Sequence, residues 1–225
     1  MIYYNTDKDD AAITKFKKVV AEFPNSPESL EAVATAKSIY KANGKVGEYA
    51  AWVKTLSFVE VTDAELDNDM YESAEKQYLN NSPKKAIEGF TSYLAQFPNG
   101  LHALKVHFYL AQLYFADKLE KNAIPHYDYV IAQARNEFTE QALVRLSEIH
   151  LKDKNCELAI SVLKQLETIA EFPQNTTFAQ ANLMKCYYEK QDFVNSEIYA
   201  DKVLKNPKMD DKIKSDAQII IARSA

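Results

Sequence analysis

Four acidic residues alternate along the segment from Asp63 to Asp69, which is how a calcium-binding loop begins. Such a loop also requires glycine at its sixth position and glutamate at its twelfth. The chain carries Asn68 and Ala74 at those two places. We therefore interpret the segment as a solvated acidic stretch that caps a helix, and we predict no metal site there.

Histidine and cysteine residues do not form a recognisable catalytic or metal-binding pattern. The four histidines, at positions 102, 107, 126 and 150, include no HExxH motif. His150 takes a packing position that tyrosine holds elsewhere, which indicates a core histidine. Cys156 and Cys186 lack the close pairing of a metal site, and we predict that both are buried or half-buried free thiols. We therefore predict a protein without catalytic residues, metal or cofactor, and not an enzyme.

The composition favours an all-α protein. Only four Gly and seven Pro occur among 225 residues, 47% of the residues are hydrophobic, and no alternating apolar runs typical of strands stand out. Nearly all of the 27 basic residues are lysine, and the net charge is −5. A nucleic-acid-binding face needs clustered basic residues, so we predict no nucleic-acid partner. No apolar run reaches the ~18 residues of a membrane span, so none is predicted.

A regular spacing of residue types runs through the whole chain. At intervals of about 37 residues, one residue marks the crossing point of a predicted second helix. These crossing positions are Ala12, Tyr49, Ala86, Ala123, Ala159 and Ser196, of which only Tyr49 is large. Mostly apolar residues follow by four and by seven positions, as one face of an α-helix requires. The pattern predicts helical hairpins that bury their apolar stripes only by stacking on one another.

Turn-forming motifs separate the predicted hairpins. The segments AEFPNSPES (21–29), AQFPNG (95–100) and AEFPQNTT (170–177) each close one hairpin and open the next. Pro24 and Pro98 are the closing prolines, because proline lacks an N–H and restricts the residue before it. With small residues at the crossings, an aromatic residue before the turn and these closing prolines, the chain resembles tetratricopeptide repeat proteins over essentially all of its length. FPNS and FPNG are similar to motifs of bacterial envelope proteins, such as TolA-binding and outer-membrane assembly lipoproteins. The composition resembles that of Bacteroidetes proteins.

This resemblance implies an all-α, right-handed superhelical solenoid of antiparallel helix pairs, with about six repeats of ~37 residues against the family's usual 34. It would form a single domain over residues 1–225. Tyr3, placed as the last turn of an incomplete helix, and the apolar helix at 210–225 indicate that both ends are cut from a longer repeat array. The superhelix is expected to be least regular from Lys45 to Asp69, where Tyr49 replaces the small residue.

The resemblance also implies a concave groove lined by the first helix of each hairpin. Carried over residue by residue, it predicts these groove residues: Lys105, Phe108, Gln112, Phe115, Gln141, Val144, Glu148, Lys152, Phe178, Lys185 and Tyr188. Aromatic side chains beside lysine and glutamine suit an extended peptide. The alternative is that the four aromatic residues among them only fill gaps between neighbouring hairpins.

We therefore predict a non-catalytic scaffold that binds a peptide or a partner protein through this groove. The alternative is a structural spacer arm within a larger multi-repeat envelope protein. A periplasmic or cell-envelope location is implied by the resemblance alone. The consecutive residues Ile219, Ile220 and Ile221 further predict end-to-end self-association through the C-terminal helix, because they span more helix surface than one neighbouring hairpin covers.

Overall fold

The structure is a computed structural model that describes residues 6–224. The described residues form twelve α-helices and no β-strand, which confirms the all-α fold class. The helices are α1 (Thr6–Glu22), α2 (Pro27–Ala42), α3 (Val46–Val53), α4 (Asp63–Leu79), α5 (Pro83–Gln96), α6 (Ala103–Ala116), α7 (Glu120–Ala132), α8 (Thr139–Lys152), α9 (Cys156–Ile169), α10 (Pro173–Glu189), α11 (Phe193–Lys205) and α12 (Asp211–Ser224).

The chain divides into two compact units, Met1–Leu113 and Tyr114–Ala225. In the first unit, each helix from α1 to α4 packs against the next one along the chain. In the second unit, each helix from α7 to α11 does the same. Most connections are short, so successive helices run roughly antiparallel. Each unit is therefore built from stacked helical hairpins.

The crossing positions lie in the core of the hairpins. Ala86, Ala123, Ala159 and Ser196 are all 0% exposed, and Tyr49 is 2% exposed. Ala12 is half-buried. The residues four and seven positions later are also fully buried in α5, α7, α9 and α11, as Phe90 and Tyr93 show, whereas those of α1 are half-buried. His150 is 7% exposed and is confirmed as a core residue. The helical period in the sequence therefore identified the buried face correctly.

The turn inside each hairpin has the same backbone conformation five times over. A left-handed residue with positive φ follows the first helix at Gly44, Asn81, Lys118, Lys154 and Gln191. The next N–H then donates to the carbonyl oxygen five residues back, as from Asp192 N to Tyr187 O at 2.9 Å. This is the Schellman motif, which satisfies the last carbonyl groups of a helix. Only one of these five residues is glycine, the residue type that usually marks this motif, so the sequence alone does not predict it.

Replacing Gln191 by glycine is expected to raise the free energy of unfolding by about 0.5–1 kcal/mol. An L side chain at φ 59° has a steric cost that glycine avoids. Lys164→Gly on the exposed face of α9 is the matched control and should lower the same free energy by about 1 kcal/mol. Urea unfolding of both variants measures the difference. A Gln191→Gly variant as unstable as the control would contradict the argument.

The irregular segment predicted around Tyr49 is confirmed, although it is shorter than expected. Helix α3 has only 8 residues, and residues 54–62 form no helix. Tyr49 packs against Tyr40 and Trp52, with ring centroids 6.2 and 6.3 Å apart. These rings occupy space that alanine leaves to a close helix crossing in the other hairpins. Regular structure returns at α4, where Thr62 and Glu65 form a capping box.

Two residues of the acidic segment are largely withdrawn from solvent. The Asp69 side chain is 14% exposed and forms ion pairs with two lysines of α2. Asp67 is 5% exposed, and its Oδ1 accepts a hydrogen bond from the Tyr93 hydroxyl at 2.6 Å. Its Oδ2 accepts another from the Leu101 N–H at 2.9 Å. The Tyr93 hydroxyl in turn accepts one from the His102 N–H at 3.0 Å. The prediction of a solvated stretch is therefore wrong for Asp69 and for Asp67, the latter of which ties α4 to the connection between α5 and α6.

The prediction of free thiols is also wrong. Cys156 and Cys186 form a disulfide with their Cα atoms 5.2 Å apart, and the described residues contain no free cysteine. That separation is usual for a disulfide. The two residues belong to different hairpins, but α9 and α10 are adjacent and antiparallel. The start of α9 therefore lies beside the last turn of α10, a proximity that spacing within one hairpin does not reveal.

The isoleucines of α12 differ in exposure. Ile219 is 47% exposed, Ile220 is 8% exposed, and Ile221 is half-buried. Helix α12 packs mainly against α11. Only Ile219 therefore presents much of its apolar surface to solvent. The prediction of an incomplete helix at the N-terminal end depends on Tyr3, which lies outside the described residues.

Candidate partner-binding site

The predicted groove residues of the first unit differ in accessibility. Lys105 is exposed and Gln112 is half-buried. Phe108 is only 6% exposed and lies beside Tyr109, with ring centroids 6.2 Å apart. Its surface is therefore not available to a partner in this conformation, which agrees with the alternative of a gap-filling residue. The assignment of Lys105 and Gln112 to a partner-binding groove stays a prediction.

In the second unit, a cavity of about 550 Å³ lies between α8 and the connection from α9 to α10. This volume is within the range of ordinary ligand pockets. Two predicted groove residues, Gln141 and Val144, line it. The residues that matter most for its chemistry are Arg135, Gln141, Val144, Arg145, Ile169, Phe172 and Asn175, and we call this cavity the arginine pocket.

Arg145 is held in place by two other predicted groove residues. Its guanidinium carbon lies 4.8 Å from the centre of the Phe115 ring, a cation–π distance. Its Nη1 donates a hydrogen bond to Glu148 Oε2 at 2.8 Å. Its buried Nε has no hydrogen-bond partner among the described residues. Phe115 and Glu148 thus orient an arginine whose side chain is 34% exposed.

Glu140, like Arg145, lies in α8, and it binds the wall of the pocket that the connection from α9 to α10 forms. Its carboxylate accepts hydrogen bonds from the N–H groups of Glu171 and Phe172, at 3.1 and 3.2 Å, and from Asn175 Nδ2 at 2.8 Å. Partial burial raises the pKa of Glu140, but these hydrogen bonds, with the nearby Arg135 charge, outweigh it and lower the pKa below its usual value. Glu140 is therefore ionised at neutral pH and fixes the connection that carries Phe172.

Phe172 is the large apolar side chain that the pocket leaves in contact with solvent. It is 57% exposed and lines the pocket together with Val144 and Ile169. Arg135 stands at the same connection, where its Nη2 donates to the Ile169 carbonyl oxygen at 3.1 Å and pairs with Glu171. The pocket therefore combines an apolar surface with two guanidinium groups, three side-chain amides and three carboxylates.

The remaining predicted groove residues do not line the pocket. Lys152 pairs with Glu120 at 2.6 Å, and Lys185 lies 3.4 Å from Asp216, so both lysines bridge to other helices. Tyr188 packs edge-on against Phe193, with ring centroids 5.7 Å apart. Phe178 is half-buried. As partner contacts, these four residues stay predictions.

Neither the repeat spacing nor the family resemblance selects Arg135, Arg145 or Phe172. A signal for the arginines was present, because arginine occurs at only three positions among the 27 basic residues. Arginine differs from lysine in its planar, multidentate donor group. Two of the three lie in one pocket, which spacing on a single helix could not show.

Other kinds of site are not indicated in the described part of the chain. No group of three or more His, Cys, Asp or Glu side chains there could hold a metal ion. No described helix is long and apolar enough to cross a membrane.

The stacked hairpins define a helical-repeat protein. The family model of the tetratricopeptide repeat matches residues 1–26. Among solved structures, the chain is similar to the crystal structure of PilW, described as a widely conserved type IV pilus biogenesis factor. The identity is 13%, the match covers 93% of this chain and 90% of that chain, and the TM-score is 0.45. No curated protein matches the sequence.

Proposed function

We propose that this chain is a non-catalytic scaffold for protein–protein interaction and that the arginine pocket is its principal contact with a partner segment. The observation that supports this most is that the oriented Arg145 guanidinium and the exposed Phe172 ring line the same cavity. Arginine and aromatic residues are the types that contribute most to protein interfaces. The stacked helical hairpins supply a rigid support for such a site.

The pocket suits one segment of a partner rather than a broad flat surface. Val144, Ile169 and Phe172 offer apolar area for a side chain. Gln141 and Asn175 bring amide groups that are suited to hydrogen bonds with a peptide backbone. The neighbouring groove residues, such as Glu148 and Phe178, would extend the contact along the first helices of the hairpins.

Replacing Arg145 by glutamine or Phe172 by alanine is expected to reduce capture of the partner at least about tenfold, because truncating a central arginine or aromatic contact commonly costs more than 1 kcal/mol of binding. The measurement is pull-down from native cell extract with quantitative mass spectrometry. Arg223→Gln and Phe23→Ala, at exposed positions outside the pocket, are the matched controls.

Melting temperatures of the same variants separate binding from stability. A Phe172→Ala variant that captures the partner as well as wild type would contradict the pocket assignment. A large loss of melting temperature would instead identify Phe172 as a packing residue. In both cases the broader scaffold proposal would then depend on the remaining groove residues.

A spacer arm is the second candidate, and the ion pairs favour it. Lys152 with Glu120 and Lys185 with Asp216 connect helices across the surface predicted to be the groove. Side chains paired in this way hold the array in line but offer less to a ligand. If the chain is a spacer arm, then substitutions in the arginine pocket should leave the capture of other proteins unchanged.

We also propose that the exposed face of α12 supports self-association. Replacing Ile219 by lysine should shift the association midpoint to higher protein concentration, because Ile219 is 47% exposed and buries apolar area in a dimer. Light scattering across a concentration series measures this. Gln218→Lys, at the exposed neighbouring position, adds the same charge without removing apolar area. A wild-type chain that stays monomeric at every concentration would refute the proposal.

A further inference from the structure

The disulfide joins two helices at the end opposite to the arginine pocket. Cys156 is the first residue of α9, and Cys186 lies in the last turn of α10. Ile169 and Asn175, at the other end of the same helix pair, line the pocket. The pair is therefore closed at one end by the chain itself and at the other by the bond between the two sulfur atoms.

The two sulfur atoms differ in their access to solvent. Cys186 is 2% exposed. Cys156 is half-buried and lines a cavity of about 490 Å³ together with Asn155, Glu157 and Lys190, among other residues. Exchange begins when a thiolate reaches one sulfur of the disulfide. Cys156 is therefore the sulfur that a small thiol reaches in the folded protein.

The surroundings also suit the reduced state. Glu189 Oε2 lies 3.2 Å from Cys156 Sγ. A disulfide sulfur carries no proton, but the thiol formed on reduction can donate a hydrogen bond to this carboxylate. The Cys186 thiol would remain buried, where a cysteine behaves as a small apolar side chain. Breaking the disulfide therefore leaves no buried polar group without a hydrogen-bond partner at either cysteine.

We propose that the Cys156–Cys186 disulfide is a redox-sensitive brace of the α9–α10 pair, released by a dithiol reductant. One thiolate of the reductant attacks Cys156 Sγ, the S–S bond breaks, and Cys186 leaves as a thiolate that takes up a proton. The second thiol of the reductant then attacks the mixed disulfide and releases the Cys156 thiol. The reductant becomes a cyclic disulfide, having given two electrons and two protons to the protein.

Release of the brace changes the mobility of α10. A cross-link restricts the open conformations that its ends can reach, so without it local opening of α10 becomes more frequent. Because α10 carries Asn175 and follows Phe172, the walls of the arginine pocket loosen with it. The consequence for partner binding rests on the proposed function of that pocket, whereas the loosening of α10 does not.

Alkylation and hydrogen exchange on the full chain test the brace. Without denaturant, iodoacetamide should modify no cysteine before treatment with dithiothreitol. Afterwards it should modify Cys156 readily and the buried Cys186 more slowly. Amide exchange in α10 should then accelerate at least about tenfold. Exchange in α4, in the first unit, should stay unchanged and serves as the internal control. A double variant with Cys156→Ser and Cys186→Ser should exchange rapidly with or without reductant.

Three results would overturn the proposal: cysteines that react before reduction, a bond that is reduced only in denaturant, or α10 exchange that does not respond. Partner capture separates this proposal from the scaffold function. Capture that Arg145→Gln abolishes and that dithiothreitol does not alter, together with unchanged α10 exchange, refutes the brace alone. An α10 response without any capture supports the brace and refutes the pocket.

Discussion

Replacing Asp67 by alanine is expected to lower the free energy of unfolding by about 3 kcal/mol. The substitution removes the acceptor of the Tyr93 hydroxyl and of the Leu101 N–H. Tyr93 is 0% exposed, so water does not readily replace the carboxylate there. Leaving a buried donor unsatisfied costs about 1–3 kcal/mol per group. Urea unfolding monitored by circular dichroism measures the change.

Asp63→Ala provides the control for this prediction. Asp63 also lies in α4, but its side chain is 79% exposed and pairs only with Lys54. Exposed ion pairs contribute about 0–1 kcal/mol, so this variant should unfold close to wild type. Tyr93→Phe should also unfold more easily than the Asp63 variant, because it removes the donor to Asp67 Oδ1 and the acceptor of the His102 N–H. Equal stability of the Asp67 and Asp63 variants would refute the role assigned to Asp67.

Replacing Ala123 by leucine is expected to cost about 2 kcal/mol of unfolding free energy. Ala123 is 0% exposed in α7, which packs against α8. A close-packed crossing has no room for three further carbon atoms, so backbone or side chains must shift. Thermal melts and urea unfolding of the purified variant give the magnitude.

Lys121→Leu is the matched control, because Lys121 is exposed two residues earlier in the same helix. Its unfolding free energy should remain within about 0.5 kcal/mol of wild type. If both leucine variants melt like wild type, then the crossing positions do not limit helix packing. If both are strongly destabilised, the effect belongs to α7 in general rather than to the crossing.

The sequence was sufficient to predict the buried face of the hairpins. A position that repeats along several helices must meet the same packing demand each time, and a helix crossing demands a small side chain. Ala86, Ala123 and Ala159 therefore reveal their burial without any knowledge of their neighbours. Tyr49 indicates the irregular segment for the same reason, because it places a large side chain where a close helix crossing needs a small one.

The candidate site was only partly predictable. Gln141 and Val144 follow from their place on the first helix of a hairpin, and both line the arginine pocket. Phe108 occupies a related place but is buried, because helix periodicity gives the direction of a side chain and not what covers it. Arg145 and Phe172 line one pocket only because α8 lies close to the connection before α10. A sequence pattern within one helix therefore does not select them.

By itself, the sequence determined the all-α class and the positions that form the core, because those depend on helical period and turn chemistry within a few residues. Only the tertiary structure decided the rest. Cys156 and Cys186 bond because adjacent antiparallel helices bring residues from different hairpins together. Asp67 is buried rather than solvated because α5 and the connection after it fold over its carboxylate. Such contacts depend on distances in space, which spacing along the chain does not encode.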